Sequence, residues 1–132
     1  MTFKSLILIF ISTVISLTAC AEQTATISQQ ELLSLMAQTN NQHFVVLDVR
    51  TVAEFDEGHI TGAVNVSHDE IADNMSELTA YKDKLVIVYC RSGRRAASAE
   101  SELLSSGFKQ LRHLEGDMNA WQAANLPLVK GH

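Results

Sequence analysis

Residues 85–97 read LVIVYCRSGRRAA and gather the chain's most reactive groups in one place. An apolar run ends in Cys90, and Arg91, Ser92, Gly93, Arg94 and Arg95 follow it directly. A thiolate is a strong nucleophile, and neighbouring positive charge favours it over the thiol. A cysteine that ends a strand is often an inert core residue. Here, however, three arginines crowd into five residues of a chain whose formal net charge is −5. That local reversal of sign points to an anion handled at or beside Cys90.

The flanking pattern says what positions this thiol. Leu85–Tyr89 is an unbroken apolar run and reads as a strand buried on both faces, as does Phe44–Leu47. Ala63–Val66 and Leu111–Leu114 are shorter strand candidates. Ser28–Glu31 forms a capping box, with Ile27 and Leu32 spaced as a hydrophobic staple. It starts a helix that carries Leu32, Leu33 and Met36 and should end near residues 39–41. Thr51 is placed to cap a short helix over 52–57, closed by Gly58. Ile71, Met75, Leu78 and Tyr81 have helical spacing, a helix is expected over 96–106, and Asp117 is expected to cap one containing Trp121. Strands alternating with helices predict an α/β fold: a small parallel sheet of about 4–5 strands with helices on both faces.

In such a sheet, ligands bind beyond the carboxyl ends of the strands, where Leu85–Tyr89 delivers Cys90. The following helix starts so soon that the N–H groups of Arg91–Arg95 should curl around the sulfur. Helix dipole, N–H groups and arginines all favour a thiolate and would hold an anion approaching it. Gly93 supplies the backbone freedom such a turn needs.

The N-terminus belongs to a different phase of the protein's life. Ser5–Leu17 is a thirteen-residue apolar stretch after Lys4, too short to span a bilayer comfortably and matching the core of a secretory signal. Leu17-Thr18-Ala19-Cys20 resembles a bacterial lipobox, in which Cys20 would be lipidated. Ala19-Cys20-Ala21 equally fits an ordinary signal peptidase, which would discard Cys20. The expected organisation is a signal peptide over 1–21, a tether over 22–26 and one domain over 27–131. The expected location is the bacterial periplasm or envelope, with membrane attachment only through a lipid on Cys20. Without residues 1–19 the chain carries nine basic against fifteen acidic side chains, a poor match for nucleic acid. In either case Cys90 has no cysteine to pair with inside the chain.

The motifs together resemble the rhodanese family of sulfurtransferases. Cys90-Arg91-Ser92-Gly93-Arg94-Arg95-Ala96 looks like its active-site loop. Asp48-Val49-Arg50, Glu54-Phe55, Gly58–Asn65, Gly107-Phe108, Leu114–Asp117, Ala120-Trp121 and Leu126–Leu128 resemble its other signatures in order and spacing. Asp117 stands where a second glycine is common, a departure expected to affect a turn rather than the loop. The resemblance implies that Cys90 accepts a sulfane sulfur as a persulfide, with Arg91–Arg95 binding the donor anion. The donor would be thiosulfate or a similar small anion, the acceptor a thiol or a cyanide-like nucleophile, free or on a protein, and no cofactor is implied. Related phosphatases place five residues between cysteine and arginine, whereas Cys90 and Arg95 have four, a tighter cradle suited to a sulfur atom. Three rival readings stay open beside it: a phosphatase on the same fold, a non-catalytic binding or sulfur-carrier module, and a redox role through a sulfenic acid.

Asp48 and Arg50 have two readings, as pocket-lining residues or as a structural ion pair, with the pair favoured. His59 could serve as an acid or base, but in a tight turn a structural role is favoured. Asn65 is expected to bond its neighbouring loop, and Trp121 to join the core. His43, His68, His113 and His132 show no metal-ligand spacing, so no metal is expected.

Overall fold

The computed structural model describes residues 23–38 and 43–132. The signal segment with Cys20, and the first helix's end near 39–41, lie outside the described residues. Among the described residues are five strands: β1 (Thr26–Ile27), β2 (Phe44–Asp48), β3 (Val64–Asn65), β4 (Leu85–Tyr89) and β5 (Leu111–Leu114). All pair in parallel in the order β1-β5-β4-β2-β3, which puts β4 at the centre. The helices are α1 (Gln29–Met36), α2 (Val52–Glu57), α3 (Met75–Leu78), α4 (Arg94–Ser105) and α5 (Asp117–Ala123).

The pleat divides the strand side chains between two cores. Val45, Leu47, Val86, Val88 and Cys90 face Ala96, Ala99 and Leu103 of α4. Val46, Ile87 and Tyr89 face Leu32 of α1 and Met118 and Trp121 of α5. Helices therefore cover both faces, which is why β2 and β4 are continuous apolar runs. Trp121 is fully buried and donates to the Pro127 carbonyl at 3.0 Å, a core role.

The expected capping box of α1 forms, and Ile27 and Leu32 join the same core. Thr51 caps α2 and gains a second reciprocal partner in Glu54. Two features differ from expectation. Thr26, expected in the tether, is sheet: Thr26 and Ile27 pair with His113 and Leu114, and the His113 N–H donates to the Ala25 carbonyl. Two residues are too few to show a period, but they cover the β5 edge. Residues 67–81, where one or two helices are expected, form α3 between single 3₁₀ turns at His68–Glu70 and Thr79–Tyr81. Finally, α4 begins at Arg94 rather than near Ala96, because Gly93 turns the chain at φ +110° and its carbonyl accepts the Ala97 N–H.

The strand order fixes where a site can form. The chain leaves β2 towards β3 and leaves β4 towards β5, in opposite directions from adjacent strands. The carboxyl ends of β2 and β4 thus flank a switch point, and Asp48 and Cys90 lie there.

Candidate active site

Cys90 follows β4 immediately, and the strand's alternation turns its side chain toward α4, where it is 1% exposed. The loop to α4 is only Cys90–Gly93. Gly93 folds back so that its N–H donates to Cys90 Sγ at 3.0 Å. Of the N–H groups of 91–95 expected to curl around the sulfur, that of Gly93 does so.

The residues behind it carry an electrostatic conflict. Arg94 and Arg95 open α4, whose first turn holds no acid. Cations at a helix N-terminus oppose the dipole and are ordinarily avoided. Both positive sources converge at the loop, an arrangement suited to a bound anion.

The three arginines do different things. Arg95 reaches α2 and donates to Glu54 through Nη1 and Nη2 at 2.7 and 2.9 Å. This pairing holds the Glu54 carboxyl down to about 2 and raises the Arg95 guanidinium further. Arg91 and Arg94 are exposed, as is Ser92. Arg91 shares with Arg50, Glu54, Glu57 and Gln122 the wall of a polar cavity of about 170 Å³ between the loop, α2 and α5.

Asp48 and Arg50 form the structural pair. Arg50 Nη2 donates to Asp48 Oδ2 at 2.6 Å and to the Gly58 carbonyl at 2.8 Å, with both residues buried. The guanidinium also sits over the Tyr89 ring, while burial pushes the Tyr89 phenol well above its ordinary range. This pair ties the end of β2 to both ends of α2 and so sets where Glu54 meets Arg95. Asn65 Nδ2 donates to the Asp48 and Arg50 carbonyls, fixing the same loop. His59 is buried, stacks on Phe55 at 3.5 Å and places Nδ1 2.9 Å from the Phe55 carbonyl. It also exchanges backbone hydrogen bonds with Val129, so its contacts are structural.

A cluster under the loop escapes sequence reasoning. Asp117 does not cap α5, because Gly116 occupies the cap position at φ +72°. Its carboxylate turns instead to the loop, where Oδ1 accepts the Cys90 N–H at 2.9 Å. Oδ2 lies 2.9 Å from His113 Nε2, and His113 Nδ1 lies 2.6 Å from Glu100 Oε1 on α4. The departure at Asp117 therefore bears on the Cys90 loop, contrary to expectation. The Asp117 and Glu100 carboxylates push the His113 imidazolium up to about 10. The only sequence trace is the four-residue spacing of His113 and Asp117; Glu100 leaves none. The N–H groups of Met118 and Asn119 donate to the Cys90 and Arg91 carbonyls, so α5 holds the loop by its backbone as well.

A family model described as Rhodanese-like domain matches residues 28–124. A protein of Allochromatium vinosum named Sulfurtransferase is 34% identical over 78% of this chain and 92% of its own length. Thiosulfate sulfurtransferase GlpE of Shewanella oneidensis is 30% identical over 69% of this chain and 88% of its own. Escherichia coli protein YibN, uncharacterized by name, is 40% identical over 70% of this chain, and the match spans 65% of its length. Among solved structures, a rhodanese-related protein of Thermoplasma volcanium superimposes with a TM-score of 0.69 at 27% identity. That superposition covers 81% of this chain and 99% of the other.

Proposed function

The chain belongs to the rhodanese-like domain family, and on that premise we propose that it is a sulfurtransferase carrying a sulfane sulfur on Cys90. The Cys90 thiolate attacks the outer sulfur of thiosulfate or a similar donor. The donor S–S bond breaks, sulfite leaves with its electron pair, and Cys90 keeps a persulfide. A thiol or cyanide then attacks the outer sulfur and releases the thiolate. Charge balances in both half-reactions without a cofactor.

The observation that carries this reading is the Gly93 N–H on Cys90 Sγ, within a four-residue turn that delivers the thiol to a helix N-terminus. A persulfide anion gains from the same donor and the same positive end. In the cavity beside the loop the exposed Arg91 supplies a guanidinium for an anionic donor, while the Arg50 guanidinium there is bound to Asp48. At 1% exposure, Cys90 is open only to small reagents, which fits thiosulfate better than a phosphorylated side chain.

The test is thiosulfate- and cyanide-dependent thiocyanate formation by the chain and by Cys90→Ser. A gain of about 32 Da after thiosulfate alone, the mass of one sulfur, reports the covalent intermediate. Persulfide without thiocyanate would make the chain a sulfur carrier, and turnover of an aryl phosphate alone would make it a phosphatase. A Cys90→Ser protein as active as the parent would end the proposal.

Export belongs to the same proposal, resting on Ser5–Leu17 and the residues that follow. The intact mass of the mature protein separates the two routes: a lipid on an N-terminal Cys20, or cleavage after Ala21 without one.

A further inference from the structure

We propose that Asp117 is a positioning residue for Cys90, locked by an imidazolium of His113 that Glu100 holds from the other side. This role rests on the sulfur-carrying role of Cys90 and adds the part that fixes where its backbone leaves β4.

Donors and acceptors decide the protonation state of the cluster. A neutral imidazole has one donor nitrogen and one acceptor. His113 places one ring nitrogen against Glu100 Oε1 at 2.6 Å and the other against Asp117 Oδ2 at 2.9 Å. Two ionised carboxylates offer only acceptors, so both nitrogens must carry protons. Glu100 and Asp117 are 5% and 2% exposed, and two such carboxylates side by side would repel without the cation between them. The imidazolium therefore gives each of these buried carboxylates a donor.

Each Asp117 oxygen then has its own partner. With Oδ2 committed to His113, Oδ1 is aimed at the Cys90 N–H, 27 residues away in the chain. The same pair bounds the far end of the loop. A Cβ on Gly93 would lie 3.1 Å from Asp117 Oδ2 and 3.5 Å from His113 Nε2. One carboxylate thus sets both the first residue of the turn and the glycine whose N–H reaches Sγ.

The backbone supplies an independent observation. Asp117 has φ +53°, a left-handed conformation in which a glycine would sit without strain. Aspartate tolerates this region better than most residues, but it does not relieve the strain. A side chain kept there at a backbone cost points to work done by the side chain.

The groups facing His113 are Glu100 from α4, Asp117 from α5 and the Gly93 backbone from the loop. Replacing Asp117 by asparagine keeps an oxygen for the Cys90 N–H but presents an amide donor to His113 Nε2. The imidazole must then release that proton at ordinary pH. Glycine removes both contacts and suits the backbone, so the two variants separate shape from charge.

The experiment uses the whole chain. In ¹⁵N spectra of the parent, with His113 assigned from its loss in His113→Gln, both ring nitrogens should be protonated from pH 6 to 9. A neutral tautomer at pH 7 would overturn the lock. Single-turnover persulfide loading by thiosulfate and alkylation of Cys90 by iodoacetamide should each slow about tenfold in Asp117→Gly, the scale expected for a misplaced nucleophile. Asp117→Asn should recover most of that loss. Its His113 should titrate between pH 6 and 8, with a step in alkylation rate there that the parent lacks. Rates in Asp117→Gly equal to the parent's would overturn the positioning role. If that variant does not fold, the absence of the step in Asp117→Asn does the same. Alkylation and the imidazole spectra need no sulfur donor, so a parent that never forms a persulfide defeats the sulfurtransferase reading while these measurements still judge the lock.

Discussion

Arg95 and Glu54 stand 41 residues apart in sequence and meet through two hydrogen bonds of 2.7 and 2.9 Å. The pairing joins the first turn of α4, behind the Cys90 loop, to α2, which the buried Asp48–Arg50 pair anchors. On the sulfurtransferase proposal, Arg95 would act on the sulfur through this brace and through its charge. Its guanidinium is planar and bidentate here, a geometry lysine cannot reproduce. Arg95→Ala should lower thiocyanate formation about tenfold or more, and Arg95→Lys should recover only part of it, since charge returns without the fork. Glu54→Gln, which leaves the cation unpaired, should cost less than Arg95→Ala. Equal activity in Arg95→Ala and the parent would show that neither brace nor charge matters.

Gly93→Ala meets two obstacles at once. The backbone is at φ +110°, and the added Cβ would lie 3.1 Å from a carboxylate oxygen that is already committed to His113. We expect about 1–3 kcal/mol of lost stability, the range for a side chain forced into a sparsely populated backbone region. Sulfur transfer should fall further than stability alone explains, because the Gly93 N–H is the donor on Sγ. Urea unfolding and single-turnover loading on the same sample separate the two; a fully active Gly93→Ala would show that the turn tolerates another shape.

The parts of this site that sequence revealed are those built from neighbours. Leu85–Val88 announced the central strand, and Gly93 three residues after Cys90 announced the turn. Contacts between distant segments left no such mark. Nothing local tells Glu54 to meet Arg95, and Glu100 sits in an alanine- and glutamate-rich helix where one more acid looks like a solvated face. Two misplacements have the same origin. Arginines at a helix start run against the dipole preference, so the expected start of α4 slid to Ala96. Asp117 has the chemistry of a cap, but Gly116 holds the cap position, and only the folded chain shows the carboxylate turned toward Cys90.

The Asp48–Arg50 pair is buried at 0% and 4% exposure, so removing one partner should hurt more than removing both. Asp48→Ala leaves a buried guanidinium with only the Gly58 carbonyl and the Tyr89 ring, and should cost about 3–5 kcal/mol. Asp48→Leu combined with Arg50→Met replaces the pair with apolar volume and should recover part of that loss. Denaturant midpoints at constant m-value report both. A double variant that loses the sum of the single losses would mean that the two residues act independently.

Stability should peak in mildly acidic solution, because two shifted groups pull from opposite sides. His113 is raised from 6.5 to about 10 by Asp117 and then Glu100. Between those values the folded chain holds a proton that the unfolded chain has released, so this contribution is complete below pH 6.5 and is lost as pH rises toward 10. Glu54 is lowered from 4.5 to about 2, chiefly by Arg95. Its contribution is complete above pH 4.5 and is lost as pH falls toward 2. Thermal unfolding followed from pH 3 to 10 should therefore show its highest midpoint between about pH 5 and 6.5. His113→Gln should flatten the alkaline limb and leave the acid limb in place, while Glu54→Gln should do the reverse. A midpoint that stays level from pH 6.5 to 9.5 in the parent would remove His113 from the account of stability.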